Sequence, residues 1–238
     1  MTNYIGIDLS PAHYGYVCLN DHGLSDWGLW VNQANHVLDD KHFVKFPKKT
    51  DEDKECYQYT RLSMMTLVLG KLLEDKKPDK TIINIEDYAF DARSRSITLC
   101  AEIGGAMRFV LTAGGYNFRM TAPSSLKKFA TGNGRAKKRQ MLQSFSGIHD
   151  PDKYFGCDMS PLIYDKKDIE GPITDLIDAW WLAEMARVEH QLKTGELIVE
   201  NLNEKRRSVF TDISKGHELP LMYRPYTSMD TSITVVAE

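Results

Sequence analysis

The sequence predicts an α/β layered domain built on a mixed sheet, and three observations lead there. Strand-like segments open the chain before any helix, residues 81–85 are almost wholly apolar, and helix and strand signals alternate afterwards. A nearly continuous apolar strand is one covered on both faces, as a central parallel strand is.

Residues 5–8 read as a short buried strand and residues 14–19, with aromatic and branched side chains, as a second; Pro11 and Gly15 mark the turn between them. A third strand falls at 27–31. The charged stretch 51–55 starts a helix whose apolar positions Leu62, Met65, Leu69 and Leu72 recur at helical spacing and which stops near Lys76, Lys77 and Pro78. After the strand at 81–85, a helix over 96–113 ends at Gly114 and Gly115, and its Gly104, Gly105 and Ala106 form a small-residue patch that allows close packing. Residues 116–120 give a fifth strand. Two short basic helices, 124–129 and 136–145, are separated by the turn 131–134. A loop rich in Asp, Pro and Lys, 147–171, leads to the last strong helix, 173–192. After Lys193 the pattern dissolves. Residues 194–238, with Arg206, Arg207, Pro220, Pro225 and a Ser/Thr-rich end, read as an extension, partly docked or disordered, on a domain of residues 1–193.

Composition narrows the class. At 238 residues, 42% hydrophobic and 26% charged, the chain has the make-up of a globular protein with a real core. A formal charge of -3 argues against indiscriminate coating of nucleic acid, but a local basic face depends on distribution rather than on the sum. Cys18, Cys56, Cys100 and Cys157 form no C-x-x-C pair, which fits reduced thiols better than a structural zinc site. Asp8 lies where a secretory leader would be apolar, and the stretch 62–73 is too short to span a bilayer. The expected setting is cytoplasmic, with no membrane partner.

Four acids stand out from this background. Asp8 follows the first apolar strand, Glu86 ends the strand at 81–85, and Asp175 and Asp178 lie three apart near the start of the last helix. Parallel strands joined by a crossover helix would place Asp8 and Glu86 at one end of the sheet, and residues three apart on a helix share a face. Structural alternatives exist for each: a turn cap for Asp8, a lysine partner for Glu86, a first-turn acid favoured by the helix dipole for Asp175. Asp178 fits them least, because it sits beside Ala179, Trp180 and Trp181 in an otherwise apolar helix. Crowded carboxylates repel by about 4 kcal/mol per pair at ~4 Å and an effective dielectric of 20, so such a cluster is one held open for metal. Magnesium, which takes oxygen ligands and keeps several waters, suits it. Residues 103–149 contain no Asp or Glu but carry Arg108, Arg119, Lys127, Lys128, Arg135, Lys137, Lys138 and Arg139. Acids able to gather metal beside a basic surface point to hydrolysis of a phosphodiester backbone.

The local sequences carry a resemblance. Gly6-Ile-Asp8, Ile85-Glu86 and Asp175-x-x-Asp178-Ala179 resemble the RuvC family of Holliday junction resolvases. The run from Pro123 through Lys127, Gly132, Gly134, Ala136 and Lys138 to Gln140 is similar to that family's P-x-x-[VL]-K-x(4)-G-x-G-x-A-x-K-x-Q pattern at full spacing. The resemblance implies an RNase H-like fold with a mixed five-stranded sheet flanked by helices. It also implies a metal site of Asp8, Glu86, Asp175 and Asp178, with Lys127 and Lys138 as basic residues at the catalytic centre. Tyr88, Phe90, Arg93, Arg95, Lys128, Arg135, Lys137 and Arg139 are then the expected DNA contacts. The family's aromatic three after the glutamate is replaced by Ala89, with Tyr88 and Phe90 on either side. The longer loop before Asp175 and the extra C-terminal residues suggest a phage or viral branch, acting in the host cytoplasm.

The function expected is therefore a structure-selective endodeoxyribonuclease that resolves four-way junctions as a homodimer by paired nicks. It would use Mg²⁺, with Mn²⁺ as a substitute, two ions per site allowed and no small-molecule cofactor. The rival readings are a broader debranching nuclease for flaps, forks and replication intermediates, and a catalytically silent junction-binding protein.

Overall fold

The computed structural model describes residues 1–9, 13–31, 42–45, 54–87, 95–163, 171–214 and 216–227. Its centre is a sheet with strands β1 (Asn3–Leu9), β2 (His13–Asn20), β3 (Gly23–Val31), β4 (Phe43–Lys45), β5 (Thr81–Glu86) and β6 (Asn117–Thr121) in the order β4-β3-β2-β1-β5-β6. The first three pair antiparallel, and β5 and β6 run parallel to β1. The five long strands form the mixed, helix-flanked five-stranded sheet that the sequence pattern leads one to expect. The three-residue β4, parallel to β3 at the edge, is an addition the sequence pattern does not announce.

Strand alternation sorts the core into two layers. Ile5, Ile7, Ile83 and Ile85 face α1 (Lys54–Leu73) and α2 (Arg95–Ala113), meeting Met65, Leu69, Met107 and Leu111. Tyr4, Val17, Leu29 and Ile82 face the other way, towards α6 (Pro172–Thr194). This second layer also takes in α3 (Pro123–Thr131), α4 (Lys138–Ser146) and α5 (Pro151–Phe155) through Leu126, Phe129, Met141, Phe145 and Phe155.

α6 lies unusually close to the sheet. A Cβ on Gly6 would come 1.9 Å from the Ala179 carbonyl oxygen, and one on Gly15 would come 2.8 Å from that of Asp175. Helix backbone therefore rests directly on strand backbone, a fit that only glycine allows at these two positions.

The stretch expected as loop contains α5, opened by Pro151 at its first helical position, and a 3₁₀ turn at Ser160–Leu162. Beyond Thr194 the described residues, up to Thr227, stay docked. Leu202, Val209, Phe210 and Leu221 join the layer under α6, and α7 (Glu204–Thr211) packs on α3, started by Asn203, whose side chain accepts from the Arg206 amide. Thr227 then exchanges backbone hydrogen bonds with Phe118 of 3.0 and 2.9 Å, covering the β6 edge.

Candidate active site

The register Gly6↔Asn84 and Ile7↔Ile85 puts Asp8 and Glu86 next to each other, one step on, at the same end of β1 and β5. By strand alternation both belong to the face that Gly6 and Asn84 present to α6. Asn84 donates to the Leu182 carbonyl at 3.2 Å and accepts from Thr121 at 2.6 Å, which ties β5 to α6 and β6 just below Glu86. On α6, Asp175 and Asp178 come within the first two turns, after Gly171 and Pro172 start the helix. Gly15, the β2 partner of Asp8, is the residue on which the Asp175 backbone rests. The close seating of α6 is thus what carries its two acids to the strand ends.

Electrostatics shows the four acids acting on one another. Burial first, then the charges of Glu86, Asp175 and Asp178, hold the Asp8 carboxyl well above the usual carboxylate range. Asp178 is pushed up for the same reasons, burial, then Glu86 and Asp175, with Lys138 and Lys127 partly offsetting them. Glu86 is raised less: burial and Asp175 push it up, while a hydrogen bond with Asp8 and the two lysines pull it down. Asp8, Asp175 and Asp178 are buried, Glu86 half-buried.

The donor set fits a hard divalent cation. It is all carboxylate oxygen, its members repel one another, and Asp178 Oδ1 is buried with no hydrogen-bond partner among the described residues. Among those residues, no three His, Cys, Asp or Glu side chains stand close enough together to hold one ion as they are placed.

The lysines arrive on the short helices. α3 begins at Pro123 and ends at Gly132 in the left-handed conformation (φ 78°), so the first glycine of the G-x-G run is a helix stop. Leu126, Phe129 and Ala130 face the core, leaving Lys127 and Lys128 half-exposed. Gln140 accepts from the Lys137 amide at 2.9 Å, which makes the glutamine of the K-x-Q spacing a helix-start residue. Lys138 Nζ donates to Thr174 Oγ1 at 3.1 Å, beside Asp175.

The other expected contacts divide. Arg135, Lys137 and Arg139 are exposed around the G-x-G turn. Lys128 meets Asp212 from beyond α7 at 3.4 Å, an exposed pair of small energy. Tyr88, Phe90 and Arg93 lie outside the described residues, and of Arg95 only its place at the start of α2 is described. Arg119 corrects the reading of 103–149 as one basic surface. It is buried, its guanidinium held by Glu189 (Nε to Oε2 3.1 Å), with Lys193 at 2.9 Å from the same carboxylate. Thr174 was missed by sequence reasoning; its only signal was a hydroxyl directly before Asp175.

Residues 49–147 match the family model of the crossover junction endodeoxyribonuclease RuvC. The match covers less than half of the chain; it takes in Glu86, Lys127 and Lys138 and leaves Asp8, Asp175 and Asp178 outside it. No curated protein matches the chain. Among the solved structures similar to it are two of RuvC. The Thermus thermophilus RuvC structure is 16% identical with a TM-score of 0.47, over 76% of this chain and 91% of that one. T. thermophilus RuvC in complex with Holliday junction substrate is 14% identical with a TM-score of 0.49, over 77% of this chain and 90% of that one.

Proposed function

We propose that the chain is a divalent-metal-dependent, structure-selective endodeoxyribonuclease that resolves four-way DNA junctions. The observation that carries this reading is the convergence of Asp8, Glu86, Asp175 and Asp178 at one end of the sheet, beside Lys127 and Lys138, in a chain part of which matches the RuvC family model. These four acids would hold Mg²⁺ or Mn²⁺, which when bound supplies an activated water and charge neutralisation at the phosphate.

The chain's own residues do the rest. The acids keep the site negative until a cation enters, so phosphate is repelled from the empty protein. Lys127 and Lys138 sit across from them and offer ammonium groups to the non-bridging oxygens, where charge builds in the transition state. Arg135, Lys137 and Arg139 grip flanking backbone phosphates and position the strand without reading its bases. The product is a nick with a 5′-phosphate.

Paired nicking requires two copies about a two-fold axis. The exposed side of α2 supports this: Phe109 is 73% exposed, one turn from the half-buried Gly105 and Ala106, and on α1 Leu67 is 68% exposed. The test is incubation of the protein with labelled four-way junction, fork and linear duplex, with and without magnesium. Symmetric cleavage of the junction alone is expected. Cutting of forks and flaps at equal rate would give the debranching nuclease, and binding without any cutting the silent junction binder.

A further inference from the structure

Lys138 is an exposed lysine on the first turn of α4, and its ammonium has a partner on α6. It donates to Thr174 Oγ1 at 3.1 Å, across the gap between α4 and α6. Thr174 is 3% exposed and stands in the first turn of α6. Its hydroxyl has a single proton and two acceptors in range, the Gly171 carbonyl at 2.8 Å and Asp175 Oδ1 at 3.2 Å. A hydroxyl can accept from one group while donating to another. Thr174 can therefore hold the lysine and, with the same oxygen, bond the acid that follows it.

We infer that Thr174 is a positioning residue that holds the Lys138 ammonium in register with Asp175, an inference that rests on the nuclease reading above. A lysine stem is long and freely rotating, and an ammonium forms a point contact rather than a fork, so its placement needs a fixed acceptor. The buried hydroxyl supplies one that is part of the acid-bearing helix itself. Lys138 and Asp175 then move together, and the counter-charge stays matched to the metal site when a strand enters. A purely local role, in which the hydroxyl only bonds the carbonyl three residues back at the helix start, would use the Gly171 contact and leave Lys138 indifferent.

The experiment compares Thr174→Val, Thr174→Ala and Thr174→Ser, alone and combined with Lys138→Ala. Single-turnover cleavage of a four-way junction at saturating protein should fall about tenfold in Thr174→Val and Thr174→Ala, with junction affinity within twofold. Thr174→Ser should recover most of the rate. In the Lys138→Ala background, Thr174→Val should cost less than twofold, because the lysine through which it acts is gone. A second measurement needs no DNA: acylation of Lys138 by acetic anhydride, followed by mass spectrometry against the exposed Lys153. It should rise several-fold in the valine and alanine variants and return in the serine variant. Equal slowing by Thr174→Val with and without Lys138, or an unchanged Lys138 acylation rate, overturns the inference. A wild-type protein that cuts no branched DNA overturns the nuclease reading instead, and the acylation measurement then decides the contact by itself.

Discussion

Replacing Gly6 by alanine adds one methyl group and no charge, yet it should disable the site. The new Cβ would lie 1.9 Å from the Ala179 carbonyl oxygen and 2.4 Å from the Ala183 amide nitrogen, where about 3 Å is the closest approach real structures allow. Both obstacles are helix backbone and cannot swing aside, so α6 must retreat from β1 by about 1 Å. Asp178 is the residue before Ala179 and moves with it, whereas Asp8 stays on β1. A misplacement of about 1 Å costs about a hundredfold in rate. The overpacking itself costs about 1–3 kcal/mol, and each kcal/mol lowers Tm by about 2–4 °C in a domain of this size. Gly15→Ala is a graded companion, since its Cβ would stand 2.8 Å from the Asp175 carbonyl oxygen and asks for a shift of only a few tenths of an ångström. Gly70→Ala is the control: its Cβ meets nothing within 4 Å, and removing a glycine from the interior of α1 should stabilise by about 1 kcal/mol with cleavage unchanged. Circular dichroism melts and single-turnover cleavage of a four-way junction check the series. A Gly6→Ala protein with wild-type Tm and a rate within a few fold would refute the claim that backbone contact between α6 and β1 sets the acid geometry.

The acids make the metal-free protein sensitive to pH: with the Asp8 carboxyl held well above its ordinary value, the folded chain binds more protons than the unfolded one from about pH 4 upward, so stability falls as pH rises through the raised pKa. Asp8→Asn should flatten that dependence and raise metal-free stability at neutral pH by about 1–3 kcal/mol while abolishing cleavage; a Tm–pH curve parallel to wild type would contradict it. Lys127→Ala and Lys138→Ala should slow cleavage far more than they weaken binding, whereas Arg135→Ala, Lys137→Ala or Arg139→Ala should lower affinity and reduce the log–log salt slope by about 0.9 for each duplex phosphate left without its cation. Salt-dependent affinity and single-turnover rates separate the two groups, and equal effects on affinity alone would make the lysines ordinary phosphate contacts. Phe109→Arg should leave the fold intact and shift the protein to monomer by light scattering, converting paired nicks in a cruciform plasmid to single ones; an unchanged oligomer would move the interface off α2.

What the sequence made legible follows from how locally each feature is encoded. The strand at 81–85 and the last helix announce themselves because burial on both faces demands unbroken apolar runs, and Glu86, Asp175 and Asp178 are conspicuous as interruptions of those runs. β4 and α7 escaped notice because three residues of edge pairing and an eight-residue polar helix leave no periodicity to read. Asn203, a helix-starting residue before Glu204, was the one available signal for α7. Arg119 was misjudged for a different reason. It lies in an acid-free stretch, but its partner Glu189 lies seventy positions away, and such a buried pair is created only when β6 and α6 come together. Thr174 likewise acquires its meaning from Lys138, thirty-six positions earlier.

The placing of the tryptophans gives this protein an optical reporter of its own. All four, Trp27, Trp30, Trp180 and Trp181, are buried. Two of them follow Asp178 on the same helix, Trp180 donating to the Tyr154 hydroxyl at 2.8 Å and Trp181 lying 5.4 Å beneath the Arg206 guanidinium. Indole emission responds to nearby charge and to hydrogen bonding at the ring nitrogen, so a small change in the seating of α6 becomes a change in fluorescence. A stopped-flow trace of the unlabelled protein can then time the arrival of cation separately from the arrival of DNA.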